Sequence, residues 1–88
     1  MINEDEKEII IQCAKKYNVS SVYLFGSSLN QHEYHDIDLA VSGIKPSLFF
    51  KFYGELLRKL PKPVDLVDLS VKSLFTKLIE EQCVKIYG

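Results

Sequence analysis

The sequence predicts a mixed α/β (α+β) fold: a small β-sheet of three to four strands with helices packed on it. Three observations carry this. Apolar residues recur with a period near 3.6 in some stretches and 2 in others, in the order α-β-α-β-α-β-α. The 88 residues are 47% hydrophobic and 26% charged, a globular balance. No repeat, low-complexity tract or Pro/Gly/Ser-rich linker divides them, so residues 1–88 read as a single domain.

Glu4 to Tyr17 reads as the first helix. Ile10, Cys13, Ala14 and Tyr17 fall on one helical face. The acids Glu4, Asp5 and Glu6 precede the bases Lys15 and Lys16, which suits the helix dipole, and Asn18 is a natural stop. Val19 to Phe25 is rich in β-branched and aromatic residues and predicts a strand, broken by Gly26-Ser27-Ser28. The polar stretch Leu29 to His35 reads as a short helical turn and a loop. Asp36 to Val41 predicts a second strand, with Ile37, Leu39 and Val41 on one face and Asp36, Asp38 and Ala40 on the other.

Ser42-Gly43 ends that strand, and Pro46 suits the first turn of a helix. Phe49, Phe52, Tyr53, Leu56, Leu57 and Leu60 form its apolar stripe, and Pro61 and Pro63 stop it. Val64 to Leu69 predicts a third strand. Ser70 is a candidate N-cap for a helix striped by Val71, Leu74, Phe75, Leu78 and Ile79, a face expected to pack on the sheet. Val84 to Tyr87 suits a short last strand.

Charge narrows the function. Eleven Lys and Arg against twelve Asp and Glu give a net charge of −1, which argues against direct nucleic-acid binding. No apolar run reaches the length of a bilayer span, and the acidic start is unlike a signal or transit peptide. The cytoplasm is the expected location. Cys13 and Cys83 fit no metal spacing and read as packed thiols.

The aspartates carry the chemistry. There are five, and Asp36, Asp38, Asp65 and Asp68 lie in or beside predicted strands, where aspartate is disfavoured. Asp36 and Asp38, two residues apart, project to one side and repel, a conflict that a divalent cation relieves. Magnesium needs only one or two carboxylates together with substrate phosphates. The turn Phe25-Gly26-Ser27-Ser28 before a short helix presents backbone N–H groups to a phosphate. A third carboxylate, Asp65, on an adjacent strand completes a two-metal site with ions ~3.5–4 Å apart and can accept the proton of an attacking hydroxyl. Asp68 is the rival third acid, but it faces the opposite side and suits the turn before Ser70. For the Gly26 turn to meet the acids at one sheet edge, strand one must run antiparallel to strands two and three.

Tyr23-Leu24-Phe25-Gly26-Ser27, then eight residues, then Asp36-Ile37-Asp38-Leu39-Ala40-Val41, then Pro63-Val64-Asp65-Leu66-Val67, resembles the minimal nucleotidyltransferase (MNT) group of the DNA polymerase β-like superfamily. The ending Val84-Lys85-Ile86-Tyr87-Gly88 is similar too. The resemblance implies the polymerase β-like fold. It implies that Gly26 and Ser27, with Ser28 beside them, hold the phosphates of ATP. It implies Asp36, Asp38 and Asp65 as catalytic ligands of two Mg²⁺ ions, with Mn²⁺ as the alternative ion. Small members of the group are commonly paired with HEPN-domain proteins. In several pairs the HEPN protein is a ribonuclease toxin, and the MNT protein acts as an antitoxin by transferring AMP from ATP to a tyrosine of that toxin. The same is therefore expected here, with a HEPN-domain partner encoded next door. Two alternatives stay open: an antitoxin that acts by contact alone, and nucleotidyl transfer to a small molecule or an RNA end.

Overall fold

The computed structural model describes residues 2–26 and 35–88. Its elements run α1 (Glu4–Lys16), β1 (Ser21–Leu24), β2 (Ile37–Ser42), α2 (Pro46–Lys59), β3 (Val64–Asp68), α3 (Leu74–Glu81) and β4 (Val84–Tyr87). The expected helical turn at Leu29 to His35 falls almost wholly outside the described residues.

Local chemistry sets the ends. The Asn3 side chain accepts from the Glu6 backbone N–H while Glu6 accepts from that of Asn3, a capping box that starts α1. The stop at Asn18 takes a left-handed backbone, φ 56°. Pro46 opens α2, and Leu60 follows its last residue ahead of Pro61 and Pro63.

The strands form one sheet in the order β3-β2-β1-β4. β1 is antiparallel to β2 and to β4, whereas β2 and β3 are parallel. The mixed sheet and the reversed direction of strand one are as expected, and Val84–Tyr87 is a fourth strand. On one face Val22, Leu24, Ile37, Leu39, Val41, Val64 and Leu66 pack against Ile10, Cys13 and Ala14 of α1 and Phe52 and Leu56 of α2. On the other, Ala40 and Leu69 meet Ile79 of α3, with Tyr23, Phe25 and Val67 at the margin.

Two buried carboxylates tie the helices down. Glu6 pairs with Lys62 at 3.0 Å. Glu55 of α2 accepts from Lys16 at 2.7 Å, Lys59 at 3.0 Å and Tyr17 at 3.0 Å, with the Cys13 thiol 3.5 Å away. Lys16 and then Lys59 hold the Glu55 carboxyl well down, to about 2. Burial, and then Glu55 itself, raises the Cys13 thiol. Among the described residues no buried side-chain polar atom lacks a partner.

The last helix departs from expectation twice. Ser70 does not cap it. The Asp68 side chain accepts from the Ser70 N–H at 2.9 Å, which bends the chain into a turn. The helix starts after Ser73, whose hydroxyl accepts from the Thr76 N–H while Thr76 accepts from the Ser73 N–H. Val71 therefore lies outside it. The expected core face is also mostly solvent-facing: Ile79 is buried, but Leu74 is 82% exposed, Phe75 57% and Leu78 58%. The eight-residue helix rests on the sheet through Thr76 and Ile79 instead.

Candidate active site

The end of β1 and the first half of β2 are joined by a backbone bond, the Phe25 N–H donating to the Asp38 carbonyl at 3.0 Å. The next residue, Gly26, has φ +69° and lies directly over the Asp38 side chain. A Cβ there would run into Asp38 Oδ2 and sit 3.1 Å from Asp38 Cγ. Only glycine combines that backbone with that approach. The antiparallel pairing of β1 with β2, which sets Leu24 opposite Leu39, thus brings Gly26 onto the second acid of the Asp-x-Asp pair.

Asp38 is half-buried in β2, and the parallel ladder aligns it with Asp65 of β3. Adjacent strands lie about 4.8 Å apart, so the two residues are next-door neighbours on the sheet. Alternation puts both on the α3 side, opposite the Ile37, Leu39, Val64 and Leu66 side chains. Asp65 is exposed; Asp36 is exposed too, one residue ahead of β2. Ser27 and Ser28 lie outside the described residues. Asp68 is engaged in the turn at Ser70.

Asp38 and Asp65 line an open depression of about 330 Å³ with Phe25, Tyr53, Leu66, Val67 and Phe75. A larger hollow of about 680 Å³ adjoins it. Phe25, Gly26, Phe75, Leu78 and Val84 contribute to its walls. The edge-to-face pair Phe25–Phe75, with centroids 6.3 Å apart, belongs to both. Among the described residues no three His, Cys, Asp or Glu side chains form a ready-made metal-ligand cluster. The expected trio is therefore not a closed carboxylate cage. The donors present are all oxygen, suited to magnesium, which completes its shell with water and phosphate. On that chemistry the residues fit the ion.

Sequence reasoning misses Phe75, Leu78 and Tyr53, because each sits in a stripe that reads as core. The one available signal is Tyr53's hydroxyl, which needs a partner when a tyrosine packs among Phe and Leu.

The family model for polymerase beta nucleotidyltransferases matches residues 7–88. The chain belongs to that family. Solved structures agree. A mutant of the MntA toxin–antitoxin complex matches with a TM-score of 0.78 and 26% identity, covering 99% of this chain and 74% of the other. A chain in the structure of tri-AMPylated Shewanella oneidensis HEPN toxin in complex with MNT antitoxin matches at 0.77 and 26%, over 99% and 73%. A toxin–antitoxin complex with AMP-PNP matches at 0.74 and 28%, over 93% and 73%. No curated protein matches the sequence. No described helix is long and apolar enough to cross a membrane.

Proposed function

We propose that residues 1–88 act as one minimal nucleotidyltransferase domain, an antitoxin that transfers AMP from ATP to a tyrosine hydroxyl of a HEPN-domain toxin. The observation that carries this is the alignment of Asp65 with Asp38, the acid that lies under Gly26, in a chain whose structural neighbours include a complex of an AMPylated toxin with an antitoxin. Gly26, with Ser27 and Ser28, receives the phosphates of ATP. Asp36, Asp38 and Asp65 are the carboxylates that would hold Mg²⁺. When bound, Mg²⁺ supplies charge neutralisation to the triphosphate and acidity to the attacking hydroxyl. Asp65, exposed at the rim, takes the proton of that hydroxyl. The tyrosine oxygen bonds to the α-phosphorus, the α–β phosphoanhydride bond breaks, and pyrophosphate leaves.

Labelled ATP incubated with this chain and its purified partner tests the reading. Label should pass to the partner, and Asp65→Asn should slow transfer by about 10²–10⁴-fold, the usual contribution of a general base. Label transfer unaffected by Asp65→Asn and Asp38→Asn would contradict it.

A second reading rests on the exposed Leu74, Phe75 and Leu78. Such a patch suits a protein partner, so the chain would silence the toxin by contact. In that case the toxin stays unlabelled, and the Asp variants still neutralise it.

A further inference from the structure

Tyr53 belongs to α2, on the face of the sheet opposite the acids, yet it lines the depression that holds Asp38 and Asp65. It reaches there around the sheet's edge. β3 is an edge strand, with β2 on one side only. The Pro63 carbonyl accepts from the Ile37 N–H of β2 at 2.9 Å. Alternation along a strand then turns the next carbonyl, that of Val64, toward the open edge. The Tyr53 hydroxyl donates to it at 2.7 Å. The ring is held in turn by Phe49, edge to face, with centroids 6.2 Å apart.

That bond falls one residue before Asp65. Asp65 is exposed and is the second residue of a five-residue strand. Strand ends at a sheet edge fray readily. The Val64 side chain anchors this one in the core, and two sets of backbone bonds hold it: the ladder to β2 on one side and the hydroxyl of Tyr53 on the open side. We propose that Tyr53 is a positioning residue that pins the start of β3 and so keeps the Asp65 carboxylate beside Asp38. This rests on the reading of Asp65 as a carboxylate that holds the metal.

The test is the affinity of the full chain for AMP-PNP, titrated by calorimetry with Mn²⁺ in excess and again in EDTA. The ratio of the two affinities isolates the metal-dependent part. Asp65→Asn should collapse most of that ratio. Tyr53→Phe should lower it about threefold to tenfold, the effect of one hydrogen bond, while the affinity in EDTA and a cooperative thermal melt are retained. In the Asp65→Asn background, Tyr53→Phe should change nothing further, because it acts through Asp65. A merely structural tyrosine would leave the ratio unmoved, or would lower it equally in both backgrounds; either result overturns the proposal while leaving the role of Asp65 intact. A ratio untouched by Asp65→Asn, or no metal dependence in the wild type, overturns the reading of Asp65 and this inference with it.

Discussion

Replacing Glu55 by Gln keeps the side chain's shape and removes its charge. The carboxylate is 3% exposed and accepts from Lys16, Lys59 and Tyr17, so it joins α1 to α2 beneath the sheet. Its fall from an ordinary 4.5 to about 2 corresponds to about 3 kcal/mol of preference for the charged form. Both lysine side chains are more than half exposed, and screening reduces the contribution to about 2 kcal/mol. The folded value lies below the unfolded one. The stabilisation is therefore complete above pH 4.5 and is lost as pH falls toward 2. Urea unfolding at pH 7 should find Glu55→Gln less stable by about 2 kcal/mol or somewhat more, since the amide also sets an N–H₂ against two ammonium groups. At about pH 3 the gap should shrink by more than half. Other acids titrate in both proteins and cancel in the difference. A gap of the same size at neutral and acid pH would refute the reasoning.

Gly26→Ala combines a left-handed backbone with a Cβ driven onto Asp38. It should cost about 1–2 kcal/mol of stability, read by chemical denaturation, and weaken ATP binding by far more than its effect on folding. Phe75→Ser with Leu78→Ser removes two largely exposed groups, so stability should fall by only about 1–2 kcal/mol in total, most of it from the lost Phe25–Phe75 ring contact. If the α3 surface docks the partner, complex formation measured by calorimetry should fall at least roughly tenfold. Phe52→Ala empties the centre of the core, where Phe52 is fully buried, and should cost about 3–5 kcal/mol, enough to leave a domain this small mostly unfolded by circular dichroism.

Much of the fold is legible because its signals are local. Pro46, Asn18 and the paired Pro61 and Pro63 mark helix ends by backbone geometry alone. Ile37, Leu39 and Val41 alternate with Asp38 and Ala40, which gives the strand and both its faces. The reversed direction of β1 follows from asking the Gly26 turn to reach the acids, and the β1–β2 register brings Gly26 onto Asp38. The α3 stripe misleads because periodicity reports an apolar face and not what covers it. Leu74, Phe75 and Leu78 have the spacing of core residues, but the sheet surface they would cover is shared with the acid-lined depression. The N-cap falls at Ser73 because Asp68 captures Ser70, a contact that serine's cap preference does not reveal. Tyr53 at the β3 edge depends on a crossover between α2 and β3 that no local pattern encodes.

Covalent modification of a partner by this site is tested most directly by intact-mass measurement. The HEPN-domain partner would be weighed after co-expression with the wild-type chain and with Asp36→Asn/Asp38→Asn. A mass gain in whole AMP units is expected with the wild type and none with the double variant, which should also release the toxin's activity. A partner of unchanged mass, silenced equally well by both chains, would contradict covalent silencing by this domain.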